Sequence, residues 1–405
     1  SILQLGQPDN DFLVYLPVRD MWHQRGPRND DAKEASRNRR GGEDLLMQFD
    51  IHTMDEKAPQ FIRSILTIDS LGYDCDYISD RQLAKVRIDN GMLVTEGGTR
   101  YRALIIPTGT TIDASLKQEV ERLRPFVIQG ETPALMAHFA KAEPMRTVFG
   151  LRSIRRKTAE GWHYFIANLT PRDIDADIAL AIPFQAATLF NPMNGDVTPT
   201  AVNDGKVHLS LRSGESIIVQ TRNEQLAVSK KQIANSQEYT LNGPWKLSFT
   251  EEAPRVGKSF ALDKLQTWET LDDDSVKVTM GTGVYTTTLK LKKDDLKDAH
   301  SWQIDLGDVR ESARVYINGQ FIGCAWAVPF VLDIKNNVLK SGKNDIRIEV
   351  TNLPANRIAD LDRRGVKWRK MEEINVVDIN YKKTTYDKWE PVKSGLNSEV
   401  KLIKK

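Results

Sequence analysis

Residues 306–323 read Leu306-Gly-Asp-Val-Arg-Glu-Ser-Ala-Arg-Val-Tyr-Ile-Asn-Gly-Gln-Phe-Ile-Gly323. Ala313, Val315 and Ile317 alternate with Arg314 and Tyr316, the period of two that a strand with one buried face requires. Asn318-Gly319 supplies the two residues a type I′ hairpin turn holds at positive φ. Phe321-Ile322 is the returning strand. Downstream, in Leu339-Lys-Ser-Gly-Lys-Asn-Asp-Ile-Arg-Ile-Glu-Val-Thr-Asn352, a Ser-Gly-Lys-Asn turn precedes Ile346, Ile348 and Val350, which alternate with Arg347, Glu349 and Thr351. Two amphipathic strands of this kind predict half of a β-sandwich.

The order of short motifs extends this reading. Gly281-Thr-Gly-Val-Tyr285 is followed by Leu306-Gly-Asp-Val-Arg310, Asn318-Gly319, Trp326 with Pro329-Phe330, Gly342-Lys-Asn344 and Thr351-Asn352. Each piece alone occurs in many β-proteins, whereas the ordered series is specific. It resembles the galactose-binding-like jelly roll of large glycoside hydrolases, most closely the C-terminal region of family 106 α-L-rhamnosidases and their family 2 relatives. The tail from Asn356-Arg357 through Tyr386, Trp389 and Ser394-Gly-Leu396 continues the likeness. The resemblance implies modules that follow a catalytic barrel. It further implies an inverting rhamnosidase whose carboxylates, and any calcium, sit on that barrel, with no cofactor in this chain.

The chain has 405 residues, enough for several domains, and its 57 Lys plus Arg against 55 Asp plus Glu leave a net charge of +2. Such balance argues against nucleic acid or an acidic membrane as partner and is compatible with a neutral substrate. Cys75 and Cys324 lie far apart in sequence, which argues against a disulfide framework, and both are expected to be buried small apolar residues. No run approaches the ~20 apolar residues of a membrane helix. The opening at Ser1, directly in Gln4-Leu-Gly-Gln-Pro-Asp-Asn-Asp-Phe-Leu-Val-Tyr-Leu16, reads like the middle of a longer polypeptide.

Along the chain the pattern changes twice. Phe12-Leu-Val-Tyr-Leu16, Asp74-Cys-Asp-Tyr-Ile78 and Ala103-Leu-Ile-Ile106 read as buried strands, and residues 57–71 and 113–123 as helices. The alternation points to an open, flavodoxin-like sheet, without the Gly-x-Gly-x-x-Gly of a nucleotide site. A polar stretch over 20–44 reads as a long loop leaving the carboxyl end of the first strand. From residue 148, short alternating strands separated by turns such as Asn191-Pro-Met-Asn-Gly195 predict a small antiparallel β-domain. The expected organisation is therefore multidomain, α/β plus all-β. It comprises a flavodoxin-like α/β domain over 1–145, a small antiparallel β-sandwich over 146–222, a linker over 223–237 and a galactose-binding-like jelly roll over 238–405.

Glycoside hydrolysis needs two carboxyl groups at a set spacing. The acidic clusters on offer are Asp74-Cys-Asp76, Glu251-Glu252, Asp272-Asp-Asp274 and Glu372-Glu373, each of which has a simpler reading as a turn or a solvated face. No catalytic residue and no metal ligand is assigned here: the six histidines lack metal-site spacing, and Asp272-Asp-Asp274 lacks the Gly and Glu of a calcium loop. Aromatic rings are the remaining candidates, because sugar rings stack their C–H faces on Trp and Tyr while hydroxyls bond to polar side chains. Trp22 and His23, with Arg19 and Asp20, follow the first strand on its ligand-facing side, although plain packing accounts for them as well. Trp326 is expected mainly as core, and Trp368 and Trp389 mainly as anchors for a charged tail, with sugar contact as the alternative for each.

These readings converge on a non-catalytic C-terminal part of a large bacterial glycoside hydrolase, α-L-rhamnosidase-like. It would brace the preceding barrel of the same polypeptide and contact carbohydrate such as a rhamnose-containing pectic glycan, in a periplasmic or secreted protein. Two rivals remain: an independent carbohydrate-binding module, and a self-sufficient β-galactosidase-like glycosidase.

Overall fold

The structure, a computed structural model, describes residues 2–18, 20, 58–224, 237–297, 301–335, 337–370 and 384–404. The chain divides into two compact units, Ser1–Lys230 and Lys231–Lys405.

In the first unit, Phe12–Tyr15 lies inside four parallel strands in the spatial order Cys75–Ile78, Phe12–Tyr15, Ala103–Ile106, Val127–Gln129. All four of its residues are buried because alternate side chains serve two cores. Phe12 and Val14 pack with Phe61, Ile68 and Met136. Leu13 and Tyr15 pack with Leu83, Leu93 and Leu123. A strand covered on both faces has no room for the polar half of an alternating pattern, which is why this run is continuously apolar. The helix Pro59–Ser70 supplies Phe61 and Ile68, and Gly72, at φ 87°, turns the chain out of it.

The rest of this unit is antiparallel. A six-stranded sheet runs Gln7–Pro8, Arg152–Lys157, Gly161–Ala167, Ser216–Arg222, Ala186–Phe190, Val197–Thr200. A three-stranded sheet of Ile174–Ala179, Lys206–Leu211 and Val202–Asn203 shares an apolar core with it.

Arg155 ties the two layers together. It is 3% exposed, and its guanidinium donates to the Asp9 carbonyl (3.1 and 2.7 Å) and to the carboxylates of Asp9 (2.8 Å), Asp11 (2.8 Å) and Glu143 (2.9 Å). Glu143 also accepts from Tyr164 Oη at 2.7 Å and from the Ala181 N–H at 2.9 Å, and Trp162 Nε1 donates to Asp9 at 2.9 Å. Every acid in this buried cluster is therefore held by a donor. Burial and the neighbouring Glu143 carboxylate push the Tyr164 phenol well above its usual range, so it stays a donor.

The second unit is a two-sheet antiparallel sandwich. Six strands run in the order Phe260–Leu262, Trp245–Ala253, Met280–Leu291, Gly342–Thr351, Ser312–Ile317, Gln320–Ala325, and four in the order Gln237–Thr240, Lys401–Lys404, Trp302–Asp305, Val331–Ile334. Ala313, Val315, Ile317, Ile346, Ile348 and Val350 all enter the shared core, as the alternation requires. Asn318 and Gly319 take φ of 52° and 81° at the hairpin turn. The asparagines of the motifs are braces. Asn344 Oδ1 accepts from Asn318 Nδ2 at 2.8 Å and from the Lys340 N–H at 2.9 Å, joining the turn to the hairpin. Asn352 Oδ1 accepts from the Gly281 N–H at 3.0 Å, and its Nδ2 donates to Ser394 Oγ at 3.1 Å.

Two expectations are corrected here. Cys324 is exposed, because on its strand Ala325 takes the inward position. Trp326 is not core either: it is 68% exposed, with Ala325 and Phe330 filling the buried places on either side.

Replacing Arg155 with Met should destabilise the first unit by about 3–5 kcal/mol, because three buried carboxylates lose their shared counter-charge. Urea denaturation followed by circular dichroism measures it, and an unchanged midpoint would contradict the bracing role.

Candidate functional site

The helix Ala355–Arg363 in the second unit starts after Pro354 and is left through Gly365 at φ 64°. Its buried side is only Asn356 and Ala359, so it docks by hydrogen bonds more than by apolar area. Those bonds hold the tail. Asn356 exchanges two with Val392, one from each backbone group, both at 2.8 Å. Arg363 donates to the carbonyls of Asp387 (2.9 Å) and Trp389 (3.2 Å). Asp362 accepts from Trp368 Nε1 at 2.6 Å through one oxygen and from the Tyr386 N–H at 2.8 Å through the other.

The result is a row of aromatic rings. Trp368 and Tyr386 have centroids 6.4 Å apart with planes inclined by 40°, and Tyr386 and Trp389 are 4.4 Å apart at 45°. The Arg369 guanidinium lies 5.2 Å over Trp368 and 5.3 Å over Tyr386. Trp389, at the open end, is 45% exposed. The Trp368 indole is held by Asp362 and the Trp389 ring packs on Tyr386, yet Trp389 keeps nearly half of its surface in solvent. A row of tilted rings with a cation above it offers C–H stacking faces together with hydrogen-bond donors, the chemistry that recognises a sugar. Tyr386, the central ring, belongs to the tail that carries the resemblance but is not among the sugar-contact candidates read from the sequence. Its spacing of three from Trp389 was the available signal.

The other expected residues are distributed differently. Asp20 accepts from the Thr111 N–H at 2.9 Å and so fixes the loop after Ala103–Ile106. Arg19, Trp22 and His23, most of the 20–44 stretch, and Glu372-Glu373 lie outside the described residues. Trp326 stands alone on the surface of the second unit, with no aromatic contact among the described residues.

Two of the acidic clusters, Asp74-Cys-Asp76 and Asp272-Asp-Asp274, have structural partners. Asp74 accepts from Arg146 at 2.6 Å, although burial pushes its carboxyl up against that pull. Asp76 accepts from Asn10 (2.9 Å) and Tyr101 (2.7 Å). Asp273 caps the helix Asp274–Val278 through the Ser275 and Val276 N–H groups and pairs with Lys258 at 2.7 Å, and that contact with Lys258 lowers its carboxyl. In the first unit a depression of about 670 Å³ is lined by Asp11, Tyr73, Arg102, His138 and Arg155, and its carboxylate, Asp11, is held by Arg155 (2.8 Å) and Arg102 (3.3 Å). Asp74, Asp273 and Asp11 are thus counter-ions to an arginine or a lysine, and Asp76 is an acceptor for neutral donors. Among the described residues, no group of three or more His, Cys, Asp or Glu side chains is placed to hold a metal ion.

A second surface escaped the sequence reading. The outward face of the six-stranded sheet of the second unit carries an open groove of about 860 Å³, lined among others by Lys246, Thr286, Thr288, Tyr316, Asp345 and Arg347.

No family model matches the chain. It is 31% identical over 182 residues to a protein of Formosa agariphila named "Putative beta-glucuronidase", a match covering 41% of this chain and 16% of that protein. Among solved structures, a rhamnosidase from Novosphingobium sp. PP1Y superposes with a TM-score of 0.58 at 19% identity, over 83% of this chain and 36% of the other. A Ruminococcus gnavus β-glucuronidase superposes over 44% of this chain and 29% of its own, at 18% identity and a TM-score of 0.30. The chain thus spans about a sixth of the curated relative and about a third of the rhamnosidase. It has a glycoside-hydrolase-like fold, and the proteins it resembles are glycoside hydrolases.

Asp362→Ala should loosen the aromatic row by releasing the Trp368 indole and the Tyr386 backbone, at a cost of about 1–3 kcal/mol. Acrylamide should then quench tryptophan emission more strongly than in the parent chain, and unchanged quenching would show that Asp362 does not hold the rings.

Proposed function

We propose that this chain is an accessory, non-catalytic part of a larger glycoside hydrolase of the α-L-rhamnosidase type, and that it contacts carbohydrate through Trp368, Tyr386 and Trp389. The observation that carries the reading is that aromatic row, which leaves the Trp389 ring open to solvent while Asp362 holds its ring neighbours and Arg363 holds its carbonyl. An anchor alone would gain most by burying the ring fully.

The finer assignments belong to the same proposal. The parallel strand order, with the second strand in sequence at the edge beside the first, followed by the third and fourth, supports a flavodoxin-like domain. The ten strands of the two-sheet sandwich support a galactose-binding-like jelly roll of the family 106 kind. In this reading the bond-breaking carboxylates, and any calcium, belong to a barrel elsewhere in the same polypeptide. The substrate is a rhamnose-containing pectic glycan, and the protein works in the periplasm or outside the cell. Arg155, Asp9, Asp11 and Glu143 then serve as a rigid brace, since their charges are spent on one another.

Titration calorimetry with rhamnogalacturonan oligosaccharides tests the contact. The parent chain should bind, and Trp389→Ala should weaken binding about tenfold, the worth of one stacked ring. Equal binding by the variant would remove the row from the proposal. Nitrophenyl rhamnoside and nitrophenyl galactoside should not be turned over by this chain, and steady turnover would instead establish a self-sufficient glycosidase.

A further inference from the structure

On the outward face of the second unit's six-stranded sheet one residue per strand falls into a single row. Following the pairings, Ala261 faces Lys246, Lys246 faces Thr286, Thr286 faces Arg347, Arg347 faces Tyr316, and Tyr316 faces Phe321. At roughly 4.8 Å per strand the row is about 24 Å long. Its middle is polar and its end aromatic. Tyr316 and Phe321 have centroids 5.3 Å apart, Arg347 lies 4.0 Å over the Tyr316 ring, and Phe321 is 58% exposed.

The charges along this groove are unequal. Arg347 is paired with Glu349 at 3.3 Å, and Asp345 with Lys343 at 3.1 Å. The Lys246 ammonium has no ion-pair or hydrogen-bond partner among the described residues, and neither does the Thr286 hydroxyl beside it. A carboxylate lying over Thr286 would meet a hydroxyl donor below it, an ammonium on one side and a guanidinium on the other.

We propose that this groove binds an acidic glycan, with the carboxylate of a uronic acid residue seated between Lys246 and Arg347 and a neighbouring ring stacked toward Tyr316 and Phe321. The backbone donors and acceptors of this face are engaged in the sheet ladders, so recognition falls to side chains, whereas an extended peptide is recognised chiefly by adding to a sheet edge. One polar group per strand, repeated at the interstrand spacing, suits a chain of hydroxylated rings. The inference extends the carbohydrate-binding reading above to a second site and rests on it for the class of partner.

Titration calorimetry of the full chain with trigalacturonate and with its fully methyl-esterified form tests the assignment. Trigalacturonate should bind and weaken as salt rises, and the ester should bind at least tenfold more weakly. Lys246→Ala and Arg347→Ala should each reduce acid binding about tenfold, while Trp389→Ala should leave it unchanged. Equal affinity for acid and ester, or unaltered binding by both groove variants, would overturn the proposal. Equally tight binding of poly-L-glutamate would overturn the choice of a glycan. If only Trp389→Ala abolishes binding, this groove is not a site although the aromatic row still is, so the two readings fail separately.

Discussion

The second unit depends on one contact that admits no side chain. Trp268 Nε1 donates to Tyr285 Oη at 2.7 Å, the same oxygen accepts from the Leu396 N–H at 3.2 Å, and the Trp268 N–H donates to the Ser394 carbonyl at 3.1 Å. Gly395 passes between them at φ 97°, where a Cβ would lie 2.4 Å from both Trp268 Nε1 and Tyr285 Oη. Burial pushes the Tyr285 phenol up to about 12, so it remains a protonated hydroxyl at this junction. This pin fixes the start of the last segment, whose strand Lys401–Lys404 then enters the four-stranded sheet between Gln237–Thr240 and Trp302–Asp305. Residues 384–392, just before the pin, are thereby confined against the helix Ala355–Arg363, and the aromatic row follows.

The sandwich was legible because its signals are local. Alternation over 313–317 and 346–350, and the Asn-Gly turn, specify strands and register without reference to anything distant. The ordered motifs were legible as a resemblance, and the structure gives them a physical meaning: Asn318, Asn344, Asn352 and Gly395 are positions where a turn, a brace or a close backbone approach allows little else. The parallel strands at 12–15 and 103–106 were also visible, since burial on both faces leaves an unbroken apolar run. Small elements were missed. Gln7–Pro8 is an edge strand of two residues, and the meander Arg87–Asp89, Met92–Val94, Arg100–Tyr101 has strands too short to show a period.

The sites were harder to read for the same reason. Trp326 looked like core because it is a large apolar residue beside Pro329-Phe330, but period-two alternation from Ala325 turns it outward. Trp368 and Trp389 are 21 positions apart in sequence and are brought together through Tyr386 and the two oxygens of Asp362. The groove residues Lys246, Thr286, Arg347 and Tyr316 come from four strands, and only the register of the sheet puts them side by side. Polar residues facing outward on a strand look like solvated surface until the neighbouring strands are known.

The central claim is that the second unit meets sugar through rings kept partly open rather than through a hydrolytic pair of acids. The most direct measurement is an NMR titration of the tryptophan indole N–H signals with a rhamnose-containing oligosaccharide. The account predicts that the Trp368 and Trp389 signals move progressively with sugar while those of the buried Trp245, Trp268 and Trp302 stay fixed. Stationary Trp368 and Trp389 signals at saturating sugar would contradict it.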